Sequence, residues 1–321
     1  MAGDSLIIKH RQPLLTPKGI PFVYFPGNWE SRWVYHAQVL SFNNKHYMLY
    51  SGRSTIGKRF GMRHDIGLAY SNDLIHWKRY SKNPIFSPSR NPKFWDSDLV
   101  AHQCIIRVKD VFYMFYDGSR KGFWQESVGI ARSTDLIHWK KYKENPIFRP
   151  GSFWWDKDHV SRCSVFREKN DYYYMFYAGH DGICERIGIA RSKNLFSWEK
   201  FIPEPVLNLG LKRDWDESHI SDPRVIKVDN VYLMTYSGYN HTQKSAIGLA
   251  YSKDLIHWKK FANNPIMVGE KGNWDDSEAA RADFVKIADK YYLFYSGAEG
   301  IFFKIGLAEV DMKRLLSDLK E

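Results

Sequence analysis

Several features are scarce in this chain, and each scarcity removes a class of protein. Three cysteines in 321 residues, Cys104, Cys163 and Cys184, make neither a disulfide framework nor a CxxC metal pattern. No run of about 18 apolar residues occurs, so no membrane span is expected. The opening MAGDSLIIKHRQPLL has no basic stretch leading into a long apolar one; no signal peptide is expected, and the chain reads as cytoplasmic. No segment before Asp311 keeps a 3.6-residue apolar period, and Asp311–Lys320 alone suggests a short helix. Acids are in deficit: 36 Asp and Glu stand against 47 Lys and Arg, a net charge of +11. The lysines are spread along the chain with no nucleic-acid motif beside them. They read as a solvated basic surface, and no nucleic-acid partner is expected.

What is abundant is one phrase. Its clear copies are IGLAYSNDLIHWKRYSKNPIF from Ile66, VGIARSTDLIHWKKYKENPIF from Val128, IGIARSKNLFSWEKFIPEPVL from Ile187 and IGLAYSKDLIHWKKFANNPIM from Ile247. A fifth, IGLAEVDMKRLL from Ile305, is shortened. Their alanines, Ala69, Ala131, Ala190, Ala250 and Ala308, are 62, 59, 60 and 58 residues apart. That period overrides the two-domain expectation for this length. The second unit contains four extended segments, His102 to Val108, Val111 to Tyr116, Ser127 to Ser133 and Trp139 to Tyr142, bounded by turn residues. Four short antiparallel strands repeated five times predict an all-β, five-bladed β-propeller, one domain over 1–321. Blades begin near Trp29, Trp95, Trp155, Trp215 and Trp274, and a strand from residues 1–28 is expected to complete the last one.

The repeats align with one another, so positions shared by all five read as scaffold and positions that differ read as function. Each anchoring tryptophan precedes an acid, Glu30, Asp96, Asp156, Asp216 or Asp275; an acid in every unit is expected to cap a turn. Seven residues after each tryptophan stands His36, His102, Arg162, Asp222 or Arg281. This column opens the innermost strand, where side chains face the axis of a propeller. Five polar groups converging there cost desolvation unless a ligand, water or mutual pairing satisfies them. Two residues on are Gln38, Cys104, Ser164, Arg224 and Asp283; three before are Trp33, Leu99, His159, His219 and Glu278. Asp98 and Asp158 share a further column at the rim.

The GLAYSxDLxxW phrase and the Trp-Asp openings resemble the five-bladed propeller glycosidases: glycoside hydrolase families 43, 32, 68 and 117, and the family 130 glycoside phosphorylases. The resemblance runs from Trp29 to Ala308 and implies a sugar-binding funnel with carboxylates on the inner strands. In these families an Asp-Pro dipeptide often carries a catalytic aspartate, which here is matched by Ser221-Asp222-Pro223-Arg224. For the acid the nearest candidate is Glu278 in DDSEAARADF, outside the families' Glu-Gly-Pro context, and the first unit has YHAQV where families 43 and 32 carry Asp-Pro. Family 117 suggests a histidine acid, His102 or His219.

Glycoside cleavage needs a group to protonate the leaving oxygen and another to activate water or attack C1. Asp222 is expected as base or nucleophile and Glu278 as acid, with Asp158 a third candidate carboxylate. His36, His102, Arg162, Arg281, His219, His159, Asp98, Asp283, Arg224 and Trp33 are expected to bind an oligosaccharide, and the arginines also suit an anionic one. Phe123, Trp124 and Tyr239 can stack on sugar, and Arg63, His64, Asp181 and His241 can reach from the rim. No metal or cofactor is expected. A hydrolase is the main reading. A phosphorylase, with arginines on phosphate and Asp222 as acid, is the alternative, and a non-catalytic sugar-binding propeller is the third.

Overall fold

The computed structural model describes residues 6–18, 29–54, 63–120, 125–151, 153–242 and 244–319. Among them are five antiparallel units. Their innermost strands are Trp33–Phe42, Leu99–Val108, His159–Arg167, His219–Val228 and Glu278–Ile287. Each hairpins into a second strand: Lys45–Arg53, Val111–Ser119, Tyr173–His180, Val231–Tyr239 and Lys290–Glu299. Third strands follow at His64–Ser71, Ser127–Ser133, Glu185–Ser192, Ser245–Ser252 and Phe302–Val310. Outer strands are two-residue pieces such as Lys78–Arg79, Lys140–Lys141 and Lys259–Lys260. Each innermost strand touches those of the units before and after it, and Glu278–Ile287 touches Trp33–Phe42, so the ring closes. The architecture is all-β and propeller-like. The helix Met312–Asp318 follows, capped at its N-terminus by Asp311, which accepts from the Arg314 amide. No helix among the described residues is long and apolar enough to cross a membrane.

The hydrophobic core is divided among the gaps between neighbouring sheets. One cluster joins Cys104 and Phe115 of the second unit to Trp155, Val165 and Tyr177 of the third, and four similar clusters fill the other gaps. The glycines of the repeat phrase make room for the anchoring tryptophans: a Cβ on Gly188 would lie 2.0 Å from the Trp155 ring.

The turn cap that the sequence suggested for the acid after each tryptophan has a counterpart at Asp275, whose Oδ1 accepts from the Glu270 amide at 3.4 Å; the contact common to all five is a different one. The acid is buried and accepts from a tyrosine hydroxyl of the second strand: Tyr50 to Glu30, Tyr116 to Asp96, Tyr177 to Asp156, Tyr236 to Asp216 and Tyr295 to Asp275. Its counter-charge is the basic residue two positions after the tryptophan of the outer edge, Arg79, Lys141, Lys200 or Lys260. Those cations are therefore not free surface charge. The fifth unit takes its cation from near the start of the chain. There Ile7–Lys9 pairs antiparallel with Val310–Ala308, and Lys9 Nζ lies 2.6 Å from Asp275 Oδ2.

Candidate active site

The five-residue column lies on a repeated backbone irregularity. In every innermost strand the pairing slips by one residue at this point, between Tyr35 and Gln38 in the first unit and between Ser221 and Arg224 in the fourth. The column residues adopt left-handed φ values of 53°, 52°, 52°, 54° and 58° at His36, His102, Arg162, Asp222 and Arg281. A β-bulge re-aims a side chain out of the sheet's alternation. Such a backbone costs on the order of 1–3 kcal/mol at a non-glycine residue. A side chain from the preceding unit's second strand offsets part of that by accepting the bulge amide. Ser296 serves His36 (2.9 Å), Ser51 serves His102 (3.1 Å) and Ser237 serves Arg281 (2.8 Å). At the aligned position serving Arg162 the residue is Asp117, at 2.8 and 3.0 Å.

Above the bulges opens a cavity of about 430 Å³. Of the column, His102, Arg162 and Arg281 line it. So do Trp33, Leu99, His159 and His219 from the starts of the innermost strands, and Arg53, His180 and Tyr239 from the ends of the second strands. His64, Glu126 and Glu185 enter where the third strands begin. A larger groove, about 920 Å³, runs beside the Ile7–Lys9 strand and holds none of the column residues.

Two carboxylates line the cavity, and neither was picked out by the sequence reading. Glu185 receives a hydrogen bond from Arg162 Nη1 and lies 3.6 Å from His159 Nε2. Burial pushes its carboxyl up, but Arg162 and His159 outweigh burial and hold it down to about 2. Glu126 is different. Burial pushes its carboxyl up against the pull of Arg162 and His159, and its Oε2 is buried without a hydrogen-bond partner.

The histidines are set by their neighbours. Glu185 N–H donates to His219 Nδ1 at 3.2 Å, so the proton of a neutral His219 is on Nε2. His180 and His159 rings stack at 4.4 Å, and both Nδ1 atoms approach Asp158 Oδ2, at 3.6 and 2.9 Å. Burial lowers the His159 pKa, but hydrogen bonds and charge from Glu185, Glu126 and Asp158 raise it overall. Burial, with Arg162 next, pushes the His102 imidazole well below its usual value, and its Nδ1 lies 2.9 Å from Asp117 Oδ2. Two clusters have donor types that suit a metal ion, Asp158–His159–His180 and His102–Asp117–Glu126. In both, ring nitrogens already face the cluster's own carboxylate.

Asp222 sits under this floor, buried, and is absent from the lining. Ser221 donates to its Oδ2 at 3.1 Å; its Oδ1 lies 3.5 Å from His36 Nδ1 and 3.7 Å from Arg162 Nε. Burial pushes Asp222 up, but His36, Arg281 and Arg162 together hold it well below the carboxylate range. That environment favours its ionised form, and Asp222 does not line the cavity. Glu278 is not in the lining either: its Oε1 accepts from Arg281 Nη1 at 3.1 Å. Asp158 is at the rim, and half-buried Asp98 lies outside the cavity.

Arg224 and Asp283, expected to touch substrate, lie behind the column instead. Arg224 donates to Cys163 O (2.5 Å), to Gln103 O (3.1 Å) and to His36 Nε2, and its Nε is 3.6 Å from Asp283. Trp33 lines the cavity, with the Arg53 guanidinium 4.3 Å above its ring and Nε1 donating to Ile301 O. His64 lines it too, hydrogen bonded to Tyr35 Oη, whereas Arg63, Asp181 and His241 are outside it. Phe123 and Trp124 lie outside the described residues.

The fold is that of the propeller glycosidases, and two carboxylates, arginines and aromatic side chains line its cavity. The chain belongs to glycoside hydrolase family 130, whose model, described as β-1,4-mannooligosaccharide phosphorylase, matches residues 61–211 and 162–320. It is 23% identical over 259 residues to a 1,2-β-oligomannan phosphorylase of Thermoanaerobacter sp. (strain X514), covering 75% of this chain and 78% of that one. It is 27% identical over 157 residues to a β-1,2-mannobiose phosphorylase of the same organism, covering 44% and 48%. Its fold matches the β-1,2-mannobiose phosphorylase of Listeria innocua solved with β-1,2-mannobiose, at a TM-score of 0.77 and 16% identity over 98% of this chain and 99% of that one. A thermostable family 43 glycoside hydrolase has the same fold at a TM-score of 0.67 and 17% identity, over 91% of each chain.

Proposed function

We propose that the protein is a β-mannoside phosphorylase, which cleaves a manno-oligosaccharide with inorganic phosphate and releases mannose 1-phosphate. The observation that carries this reading is the unequal state of the two carboxylates lining the cavity. Glu126, held toward its protonated form with a free Oε2, suits a proton donor. Glu185 is engaged by Arg162 and His159, and its depressed pKa makes it a poor base for water. Hydrolysis by inversion needs both an acid and a base. Phosphorolysis needs the acid and a seat for an anionic nucleophile, and Arg162, Arg281 and Arg53 surround the same space. In one displacement a phosphate oxygen bonds to C1 as the bond from C1 to the leaving oxygen breaks. The Glu126 proton passes to that oxygen.

The named relatives and the family description support a β-mannosidic substrate. The test is incubation with β-1,2- and β-1,4-mannobiose, with and without phosphate, for wild type and Glu126→Gln. Mannose 1-phosphate should form only with phosphate, and the variant should lose about 10²- to 10⁴-fold in rate. Equal release of free mannose without phosphate would replace this reading with a hydrolase. Binding without any turnover would leave a lectin.

A further inference from the structure

We propose that Asp117 is a positioning residue for the proton of Glu126: the two carboxyl groups hold one proton between them, and the fixed charge of Asp117 keeps it on Glu126. The inference rests on the reading of Glu126 as proton donor.

The repeat itself shows that Asp117 is out of place. The aligned residues are Ser51, Ala178, Ser237 and Ser296, and a serine suffices to accept the bulge amide in three units. The second unit carries a fully buried carboxylate there instead. A charge in that position is costly unless it does something a hydroxyl cannot.

Asp117 meets donors. The Arg162 amide is shared between its two oxygens, and His102 Nδ1 stands 2.9 Å from Oδ2. Donors on the anion favour the ionised form of Asp117. With Asp117 ionised, Nδ1 of His102 carries the hydrogen and its Nε2 is an acceptor. An oxygen of Glu126, an oxygen of Asp117 and a ring nitrogen of His102 lie within 4.8 Å of one another. Like charges at that range in a buried site do not both persist. The remaining groups facing the pair are Arg162 and His159, which favour ionised Glu126, and Glu185 and Asp222, which oppose it. Burial raises both carboxyls, and that of Asp117 is pushed up further, with the Glu126 charge next after burial, so burial alone would put the one shared proton on Asp117; the N–H donor already on Asp117 is what moves it to Glu126. Glu126 Oε2 has no hydrogen-bond partner, whereas both Asp117 oxygens accept from the Arg162 amide, so the negative charge is better held on Asp117 and the proton on Glu126.

The experiment is the pH dependence of kcat/KM for mannobiose phosphorolysis in wild type, Asp117→Ser and Asp117→Asn, with Glu126→Gln in parallel. Asp117→Ser installs the residue that caps the same amide in three other units, so the bulge keeps its acceptor. Loss of the neighbouring charge lets Glu126 ionise more readily. The alkaline limb should move to lower pH by about one unit or more, with about tenfold less activity above the old limb and recovery at low pH. Phosphate titrates identically in every sample, so the difference between variants reports the enzyme. A purely structural Asp117 would lower Tm or kcat at all pH values and leave the limb in place; an unmoved limb in both folded variants overturns the proposal. The reading beneath it is checked separately with 2,4-dinitrophenyl β-mannoside, whose leaving group departs unprotonated. Glu126→Gln should keep most activity on that substrate. Equal loss on both substrates removes Glu126 as the acid, and this inference falls with it. A retained acid response with an unmoved limb sinks the role of Asp117 alone.

Discussion

The guanidinium of Arg224 donates to Nε2 of His36, residues 188 positions apart in the chain. A guanidinium can only donate, so Nε2 is unprotonated and the ring hydrogen is on Nδ1, turned toward Asp222 Oδ1 at 3.5 Å. Burial, with Arg224 next, depresses the imidazole pKa to about 3, so His36 is neutral. Through Gln103, Cys163 and Asp283 the same guanidinium reaches every other unit, which makes it the one side chain among the described residues seen to tie the ring together at its centre.

Replacing Arg224 with methionine should therefore cost about 3–5 kcal/mol, because buried Asp283 loses its counter-charge and the carbonyls lose their donors. Denaturant unfolding measures it. A loss under about 1 kcal/mol would mean the ring does not depend on this contact.

Asp283 gives a pH test. Burial, offset in part by Arg224, raises its pKa to about 6. A raised carboxyl binds its proton more tightly folded than unfolded, so its contribution to stability is complete below about pH 4 and is lost as pH rises through about 6. Asp283→Asn should flatten the Tm profile over that window, because the titrating group is gone. Parallel profiles for the two proteins would contradict the shift.

Arg162→Lys keeps the charge and removes the fork. If Arg162 grips phosphate, KM for phosphate should rise about tenfold or more while KM for mannobiose changes little. Initial rates with each substrate varied in turn separate the two. Equal increases in both would place Arg162 in the sugar site or in the scaffold.

Lys9→Met removes the cation facing Asp275, whose remaining hydrogen-bond partners among the described residues are Tyr295 and the Glu270 amide. The expected loss is about 2–4 kcal/mol. The matching change Lys260→Met in the fourth unit is the control, since Lys260 bridges Asp216 at the same 2.6 Å. Similar losses would show that the N-terminal strand serves as a full outer strand.

The architecture was legible because the repeat is written into the sequence, and so were three cavity residues of the inner column, His102, Arg162 and Arg281. Their left-handed φ was not, because a one-residue slip in pairing has no compositional mark when its neighbours are alanine, glutamine, serine and cysteine. Glu126 and Glu185 were missed for a different reason. They share an aligned position with His64, Ser245 and Phe303, three residues before the glycine of each repeat phrase, and that column varies as the inner one does. Comparing it across the repeats would have found both. Asp222 was conspicuous by its Asp-Pro pair, yet its place under the floor depends on His36 and Arg162 from distant units. Glu278 was expected as the acid, but its carboxylate is taken by Arg281, three residues along and opposite in charge.

The strand Ile7–Lys9 lies against Val310–Ala308, so the described ends of the chain are neighbours in one sheet. The order of the five units in the sequence is then a convention of where the chain was cut, not a requirement of the ring. A circular permutant that joins these ends and opens the polar turn at Lys109–Asp110 should keep the same bulges, the same central guanidinium and the same cavity.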